Sequence, residues 1–177
     1  AGNNKSSNGD AQGDVQSPEE QFTVDIIGAH TTISGDVTYM SSGQYRVDYS
    51  ILKAGTYQVH VKTGGTDIYC GLGEDNKCSP FELTVLPAET LASNCEVESS
   101  FDPVDSLVEA RSGVIGKVYL QAKDAFGNNR ITGGDDVVAK FKRTANPDIQ
   151  YRGNVLDRGD GSYVISYSIP LAGNYIV

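Results

Sequence analysis

An internal duplication constrains this chain more than any other feature of its sequence. Residues 43–51 (GQYRVDYSI) align with residues 161–169 (GSYVISYSI), and residues 54–59 (AGTYQV) align with residues 172–177 (AGNYIV), both at an offset of 118 residues. Self-similarity at a fixed distance predicts two copies of one structural unit. An interpretation of the strands must therefore hold for both copies.

The two copies start and stop at different points of the repeat. A second matching block, residues 2–10 against residues 127–135, has an offset of 125, so the first copy has seven more residues than the second between the blocks. Residues 11–20 are polar and predict a longer loop there. We expect a first repeat over residues 1–87 that lacks its first strands, and a second over residues 88–177 that lacks its last strand.

Apolar residues recur at every second position in short runs. Residues 45–51 alternate apolar and polar side chains, as expected of a strand with one buried and one solvated face. The other runs with this period are Phe22, Val24 and Ile26; Tyr57, Val59 and Val61; Phe81, Leu83 and Val85; Val118, Leu120 and Ala122; Val137, Ala139 and Phe141. Glycine-bearing turns separate the runs, so the sequence predicts an all-β fold of the sandwich type.

Tyr57 and Tyr175 occupy the same position in the two copies, two residues after a glycine. In some β-sandwiches a tyrosine at such a corner caps a backbone turn with its hydroxyl group. We predict this structural role for both tyrosines.

The net charge and the length of the apolar stretches indicate which classes of partner to expect. The chain has 14 Lys and Arg residues against 23 Asp and Glu, which gives a net charge of -9. Phosphate binding requires clustered basic residues, so we expect no nucleic-acid partner. No stretch of this window approaches the roughly 20 apolar residues that a bilayer-spanning helix needs. We therefore expect no membrane insertion within it.

Several motifs, taken in order, resemble the filamin (actin-binding-protein-280) repeat, an immunoglobulin-like unit. They are SPFELTV at 79–85, DAFGNN at 124–129, TGGD at 132–135, DGSYVISY at 160–167 and AGNY at 172–175. The resemblance covers nearly the whole chain and implies tandem immunoglobulin-like β-sandwiches, both incomplete at the chain ends. The DAFGNN motif looks closer to the filamin repeats of secreted or surface multi-repeat proteins. A cysteine-bounded insert before the last strand of the first repeat departs from the usual filamin pattern.

The resemblance also implies a binding mode. In filamins, partner peptides add as an extra strand along the third strand, where backbone hydrogen bonds give affinity and side-chain pockets give selectivity. The matching strands are residues 21–27 and 136–142. Their outward side chains, the candidate peptide-binding residues, are Thr23, Asp25 and Ile27 in the first repeat and Val138, Lys140 and Lys142 in the second. Because the two sets differ in charge, we expect different protein partners; the alternative is that both repeats are spacers.

Three cysteines bear on the cellular compartment. Cys70 and Cys78 flank a seven-residue loop between two strands predicted to pair, so they can form a disulfide; two free thiols are the alternative. A disulfide implies an oxidising compartment, in which Asn4, in an Asn-Lys-Ser tripeptide, is a candidate glycosylation site. Cys95 is interpreted as a small core residue, with pairing to a cysteine outside the window as the alternative.

The sequence offers no pattern typical of a catalytic, cofactor-binding or metal-binding site. It has no Ser-His-Asp order, no phosphate-binding glycine loop before a helix, and only two histidines, His30 and His60. We therefore expect a non-catalytic adhesion, protein-binding or spacer module of an extracellular or cell-surface protein, flanked by neighbouring repeats of the same chain. The alternative is a cytoplasmic, cytoskeletal rod segment that spaces actin-binding or signalling domains.

Overall fold

The computed structural model describes residues 22–68, 79–99 and 107–177, which form an all-β structure of antiparallel sheets. The chain divides into two compact units, Ala1–Leu86 (unit 1) and Pro87–Val177 (unit 2). The boundary expected from the sequence, after residue 87, lies one residue further along. No helix in the described part of the chain is long and apolar enough to cross a membrane.

The described residues of unit 1 contain six strands. These are β1 (Phe22–Ile27), β2 (Thr32–Ser41), β3 (Gln44–Asp48), β4 (Gly55–Thr63), β5 (Thr66–Asp67) and β6 (Phe81–Val85). β1 lies between β2 and β4, and β2 continues past β1 to pair with β3. β4 pairs with β1 along one edge and with β6 along the other, and Gln58 and Val59 pair on both sides.

The core of unit 1 follows from the alternation of these strands. Val24, Ile26 and Tyr57 are buried, and half-buried apolar residues of β2, β3, β4 and β6 pack against them. β2 changes partner next to Gly35, which pairs with Val24. A Cβ atom on Gly35 would lie 2.5 Å from Cγ1 of Val47, so only glycine allows this close approach.

Unit 2 begins with a short 3-10 turn, Ala92–Asn94. Its strands are β7 (Glu96–Ser99), β8 (Ile115–Gln121), β9 (Lys140–Arg143), β10 (Gln150–Arg152), β11 (Asn154–Asp157), β12 (Ser162–Ser168) and β13 (Tyr175–Ile176). They form one sheet in the order β10-β9-β13 and another in the order β11-β12-β8-β7. The buried core joins residues of both sheets, namely Val118, Ala139, Phe141 and Tyr167, as in a β-sandwich.

In both units the chain changes its partner strand at a glycine, which we call the strand switch. Gly153 separates β10 from β11, which belong to different sheets, and it stands 118 residues after Gly35. A Cβ atom on Gly153 would lie 2.8 Å from Cγ2 of Ile165, which stands 118 residues after Val47. The same pair of residues therefore makes the same close contact in both units.

The strand register also locates the length differences between the copies. The Gly153 N–H donates to the Ala139 carbonyl at 3.1 Å, and in unit 1 the counterpart Gly35 pairs with Val24. Ala139 therefore corresponds to Val24, so β1 and β9 are related by an offset of 115. Residues 21–27 thus correspond to residues 136–142. The first copy consequently has ten more residues before β1 than the second has before β9. The second copy has three more residues between β9 and β10 than the first has between β1 and β2, which leaves the net difference of seven.

Both predicted corner tyrosines are confirmed. The Tyr57 hydroxyl donates to the Lys53 carbonyl at 2.8 Å, and the Tyr175 hydroxyl donates to the Leu171 carbonyl at 2.7 Å. Each hydroxyl therefore caps the backbone four residues before it.

Candidate interaction surfaces

The candidate residues of the first repeat lie on the outward face of β1. Thr23, Asp25 and Ile27 alternate with the buried residues of that strand. The Asp25 carboxylate is half-buried and accepts hydrogen bonds from Nζ of Lys62 at 3.3 Å and from Oγ of Ser34 at 3.4 Å. The negative charge of this face is therefore already balanced within unit 1.

β1 has strand neighbours on both sides. Residues 24–27 pair with residues 32–35 of β2, and the whole of β1 pairs with residues 58–63 of β4. Strand addition needs an edge whose backbone N–H and C=O groups are unpaired. That edge is occupied by β2, so a peptide that added beside β1 would have to displace the chain's own strand. Whether Thr23, Asp25 and Ile27 bind a partner stays a prediction.

The candidate residues of the second repeat belong to an exposed, positively charged surface. Val138, Lys140 and Lys142 point outward, whereas Ala139 and Phe141 are buried. Lys140 pairs directly with Arg152 of β10, so the two cations share a face. We call Lys140, Lys142 and Arg152 the basic face. None of the three forms an ion pair with another described residue.

The strand predicted over residues 136–142 is a strand only from Lys140, where β9 begins. On one side β9 pairs with β10, and on the other it pairs with β13 only through Lys142 and Arg143. In unit 1 the corresponding side of β1 is covered by β4, whose residues 60–63 correspond, at the offset of 118, to positions past Val177, the last residue of this sequence.

Asp124, in the DAFGNN motif, is the centre of a buried hydrogen-bond network that the sequence did not reveal. The side chain is 1% exposed, and each carboxylate oxygen accepts two hydrogen bonds. The donors are the N–H groups of Phe126 and Asn128 on Oδ1, and the Ala88 N–H and the Asn128 Nδ2 on Oδ2, at 2.8 to 2.9 Å. Burial alone would raise the pKa of Asp124, but these hydrogen bonds outweigh it and lower the pKa to about 2.

Asp124 is therefore ionised at neutral pH, and its acceptor capacity is used inside unit 2. It links Ala88 to the turn formed by residues 124–128. The signal in the sequence is an aspartate four residues before an asparagine at a glycine turn, since such side chains commonly bond to nearby backbone N–H groups. We interpret Asp124 as a structural anchor.

The structure brings Ser79, His60 and Asp67 together in unit 1. Oδ1 of Asp67 accepts a hydrogen bond from Ser79 Oγ at 2.9 Å and lies 3.2 Å from Nδ1 of His60. Burial would raise the pKa of Asp67, but the hydrogen bonds of Ser79 and His60 lower it. Ser79 contacts the carboxylate and not the imidazole, and its Oγ also accepts from the Val61 N–H. Activation of a serine requires a base on its hydroxyl, so we interpret this cluster as structural.

The structure describes only one of the four remaining predicted residues. Cys70, Cys78 and Asn4 lie outside the described residues. Cys95 has a free thiol, is half-buried and directly precedes β7, with Sγ 3.5 Å from the Leu91 carbonyl oxygen.

Within residues 22–68, 79–99 and 107–177, no group of three His, Cys, Asp or Glu side chains is arranged to hold a metal ion. No protein-family model matches the chain.

Proposed function

We propose that this chain is a non-catalytic protein-binding module, made of two filamin-type immunoglobulin-like repeats of a multi-repeat extracellular or cell-surface protein. Unit 2 binds an acidic segment of a partner protein. The observation that carries the proposal is the basic face, which is exposed in a chain of net charge -9 and has no ion-pair partner among the described residues.

The pairing of Lys140 with Arg152 supports this function. Like charges placed directly opposite each other destabilise a sheet, so the pair costs unit 2 stability. An acidic partner converts that repulsion into attraction and accelerates association at low salt. Val138 and Ile176 expose apolar side chains beside the basic face. We therefore expect a partner segment with both acidic and apolar residues.

The resemblance to filamin-type repeats supports strand addition as the binding mode. A peptide that adds beside β9 gains backbone hydrogen bonds, and its alternate side chains lie beside Val138 and Lys140. Unit 1 favours the spacer role, because β1 is paired on both sides and Asp25 is neutralised by Lys62.

A charge reversal tests the basic face. The probe is a fluorescein-labelled (Glu-Leu)4 peptide, titrated with the full chain and followed by fluorescence anisotropy at two salt concentrations. We expect binding that weakens with salt, and a loss of about tenfold for Lys140→Glu, which is about 1.4 kcal/mol.

Lys117→Glu is the matched control, because Lys117 is an exposed lysine on the other sheet of unit 2. It makes the same change in net charge. Equal weakening by Lys117→Glu, or no binding by the unmodified chain, contradicts the proposal.

The cellular location of the protein is tested separately by the oxidation state of Cys70 and Cys78 in protein isolated from its own cells. Thiols that react with an alkylating agent only after reduction support an extracellular module. Thiols that react at once favour the alternative, a cytoplasmic rod segment that spaces actin-binding or signalling domains.

A further inference from the structure

Two cations of the basic face stand directly opposite each other in the sheet. Lys140 of β9 and Arg152 of β10, which we call the cation pair, are partners in the strand register. The Gly153 N–H donates to the Ala139 carbonyl at 3.1 Å, so the backbone hydrogen bond lies between the residues next to the pair. The cation pair is therefore a non-hydrogen-bonded pair, in which the Cα atoms are only about 4.5 Å apart and the side chains lie closest together.

Unit 1 has a complementary pair at the same place. The offsets of 115 for β1 and 118 for β2 make Asp25 and Ser34 the counterparts of Lys140 and Arg152, and these two residues are also direct partners. Oγ of Ser34 donates a hydrogen bond to Oδ1 of Asp25 at 3.4 Å. Side chains at this pair of positions therefore reach each other. In unit 2 both side chains carry donors and a positive charge, so they cannot satisfy each other.

The cation pair is built entirely from described strands. β10 lies on the side of β9 opposite to β13, and both cations are exposed. The neighbouring register pair on this face joins Lys142 to Gln150, which contributes an exposed neutral amide and not a carboxylate. Among the described residues no acidic side chain forms an ion pair with the basic face. The anion that balances the cation pair is therefore supplied by a ligand.

The two side chains differ in how they bind an anion. The guanidinium group of Arg152 binds two oxygens of one anion through parallel N–H groups, whereas the ammonium group of Lys140 acts as a point charge on one oxygen. A carboxylate has only the two oxygens that the guanidinium takes. A phosphate or sulfate ester keeps a third terminal oxygen, which is free for the lysine. Such an ester therefore fits the cation pair better than the side chain of Glu or Asp.

We infer that the cation pair binds an esterified tyrosine of the partner segment, either O-sulfated or O-phosphorylated. The tetrahedral oxyanion of the ester lies between Lys140 and Arg152. The aromatic ring of the tyrosine lies on the exposed side chain of Val138, which precedes Lys140 on the same face. This inference rests on the proposed function, because it names the group by which unit 2 recognises an acidic segment.

Four fluorescein-labelled peptides test the preference for an ester. They share the sequence Glu-Leu-Glu-Leu-X-Leu-Glu-Leu-Glu, in which X is tyrosine, sulfotyrosine, phosphotyrosine or glutamate. Each peptide is titrated with the full chain and followed by fluorescence anisotropy. We expect the two ester peptides to bind at least about tenfold more tightly than the glutamate peptide. The tyrosine peptide should bind no more tightly than the glutamate peptide.

The two ester peptides also distinguish the sources of the oxyanion. A gain by both supports the shared ester chemistry, and a gain by only one identifies that ester as the ligand. No gain by either overturns the inference. Binding of the glutamate peptide in that case still supports the proposed function, so a failure of the inference and a failure of the proposed function are distinguishable.

A substitution that keeps the charge locates the ester on the cation pair. Arg152→Lys removes the two parallel N–H groups at an exposed position. We expect the preference for the ester peptides over the glutamate peptide to fall about tenfold, while binding of the glutamate peptide changes by less than about twofold. Arg111→Lys, the same change at another exposed arginine of unit 2, is the control and should leave the preference unchanged. Equal effects of the two variants overturn the inference.

Discussion

Equivalent residues of the two units differ most in exposure where the described residues of one unit include a strand that those of the other do not. Tyr167 is 5% exposed, whereas its counterpart Tyr49 is 52% exposed. In unit 2, β12 lies between β11 and β8. In unit 1 the corresponding β3 is the outermost described strand and pairs only with β2. Tyr167 pairs with Gly116 of β8, whereas no described strand lies on the corresponding side of Tyr49, which directly follows β3.

The opposite difference occurs at the other end of the repeat. Tyr57 is buried beside β6, whereas its counterpart Tyr175 is half-buried. The described residues of unit 1 therefore include β6 beside Tyr57, and those of unit 2 include β8 beside β12, but neither set includes both strands.

The largest expected effect concerns the tyrosines beside β12 and β3. Tyr167→Ala should lower the free energy of unfolding by about 3 to 5 kcal/mol, because it leaves a cavity against Phe141 and Val118. Tyr49→Ala should cost less than about 1 kcal/mol, since half of that side chain already contacts solvent. Urea unfolding measures both changes. Equal losses would show that the unit 1 position is buried by a strand that the described residues do not include.

The next effect concerns the strand switch that the units share. Gly35→Ala and Gly153→Ala should each cost about 1 to 3 kcal/mol, because the new methyl group overlaps the branched side chain of Val47 or Ile165. Gly35→Ala should cost more, because its contact is the shorter. Thr38→Ala, at an exposed position of β2, is the control and should have little effect on the urea midpoint. If both glycine variants are as stable as the Thr38→Ala control, the close contact at the strand switch does not require glycine in either unit.

Acid should destabilise unit 2 through Asp124. The pKa of Asp124 is lowered from 3.8 to about 2 in the folded chain, so folding favours the ionised carboxylate. The resulting stability is fully present above about pH 4 and is lost as the pH falls towards 2. Amide hydrogen exchange in residues 122–130, measured across this range, should show the loss. Asp124→Asn should be less stable at neutral pH and should show a shallower acid dependence; an identical acid profile would contradict the anchor role.

The smallest effect concerns the corner tyrosines. Tyr57→Phe removes one buried hydrogen bond to the Lys53 carbonyl and should cost about 1 kcal/mol. Tyr175→Phe removes the same bond to Leu171 but at a more exposed site, so its cost should be smaller. Thermal unfolding of the two variants gives the comparison. A larger loss for Tyr175→Phe would contradict the smaller cost expected from its greater exposure.

Much of the fold was predictable because strand periodicity and turn glycines are local signals. The alternation at Val24 and Ile26 and at Ala139 and Phe141 identified the buried faces, and the repeated AG-x-Y motif identified both corner tyrosines. The candidate binding residues were placed on the correct outward face. Whether they lie at an open edge was not predictable, because pairing of β1 with β2 depends on residues 32–35, whose own pattern does not show which strand they join.

The sequence by itself determined the duplication, the all-β class, the alternation of buried and exposed side chains and the charge difference between Asp25 and Lys140, since each is written in residue type and spacing. Only the tertiary structure decided which strands pair with each other and which cations share a face. The physical reason is that covering an edge or pairing a charge depends on strands far apart in sequence.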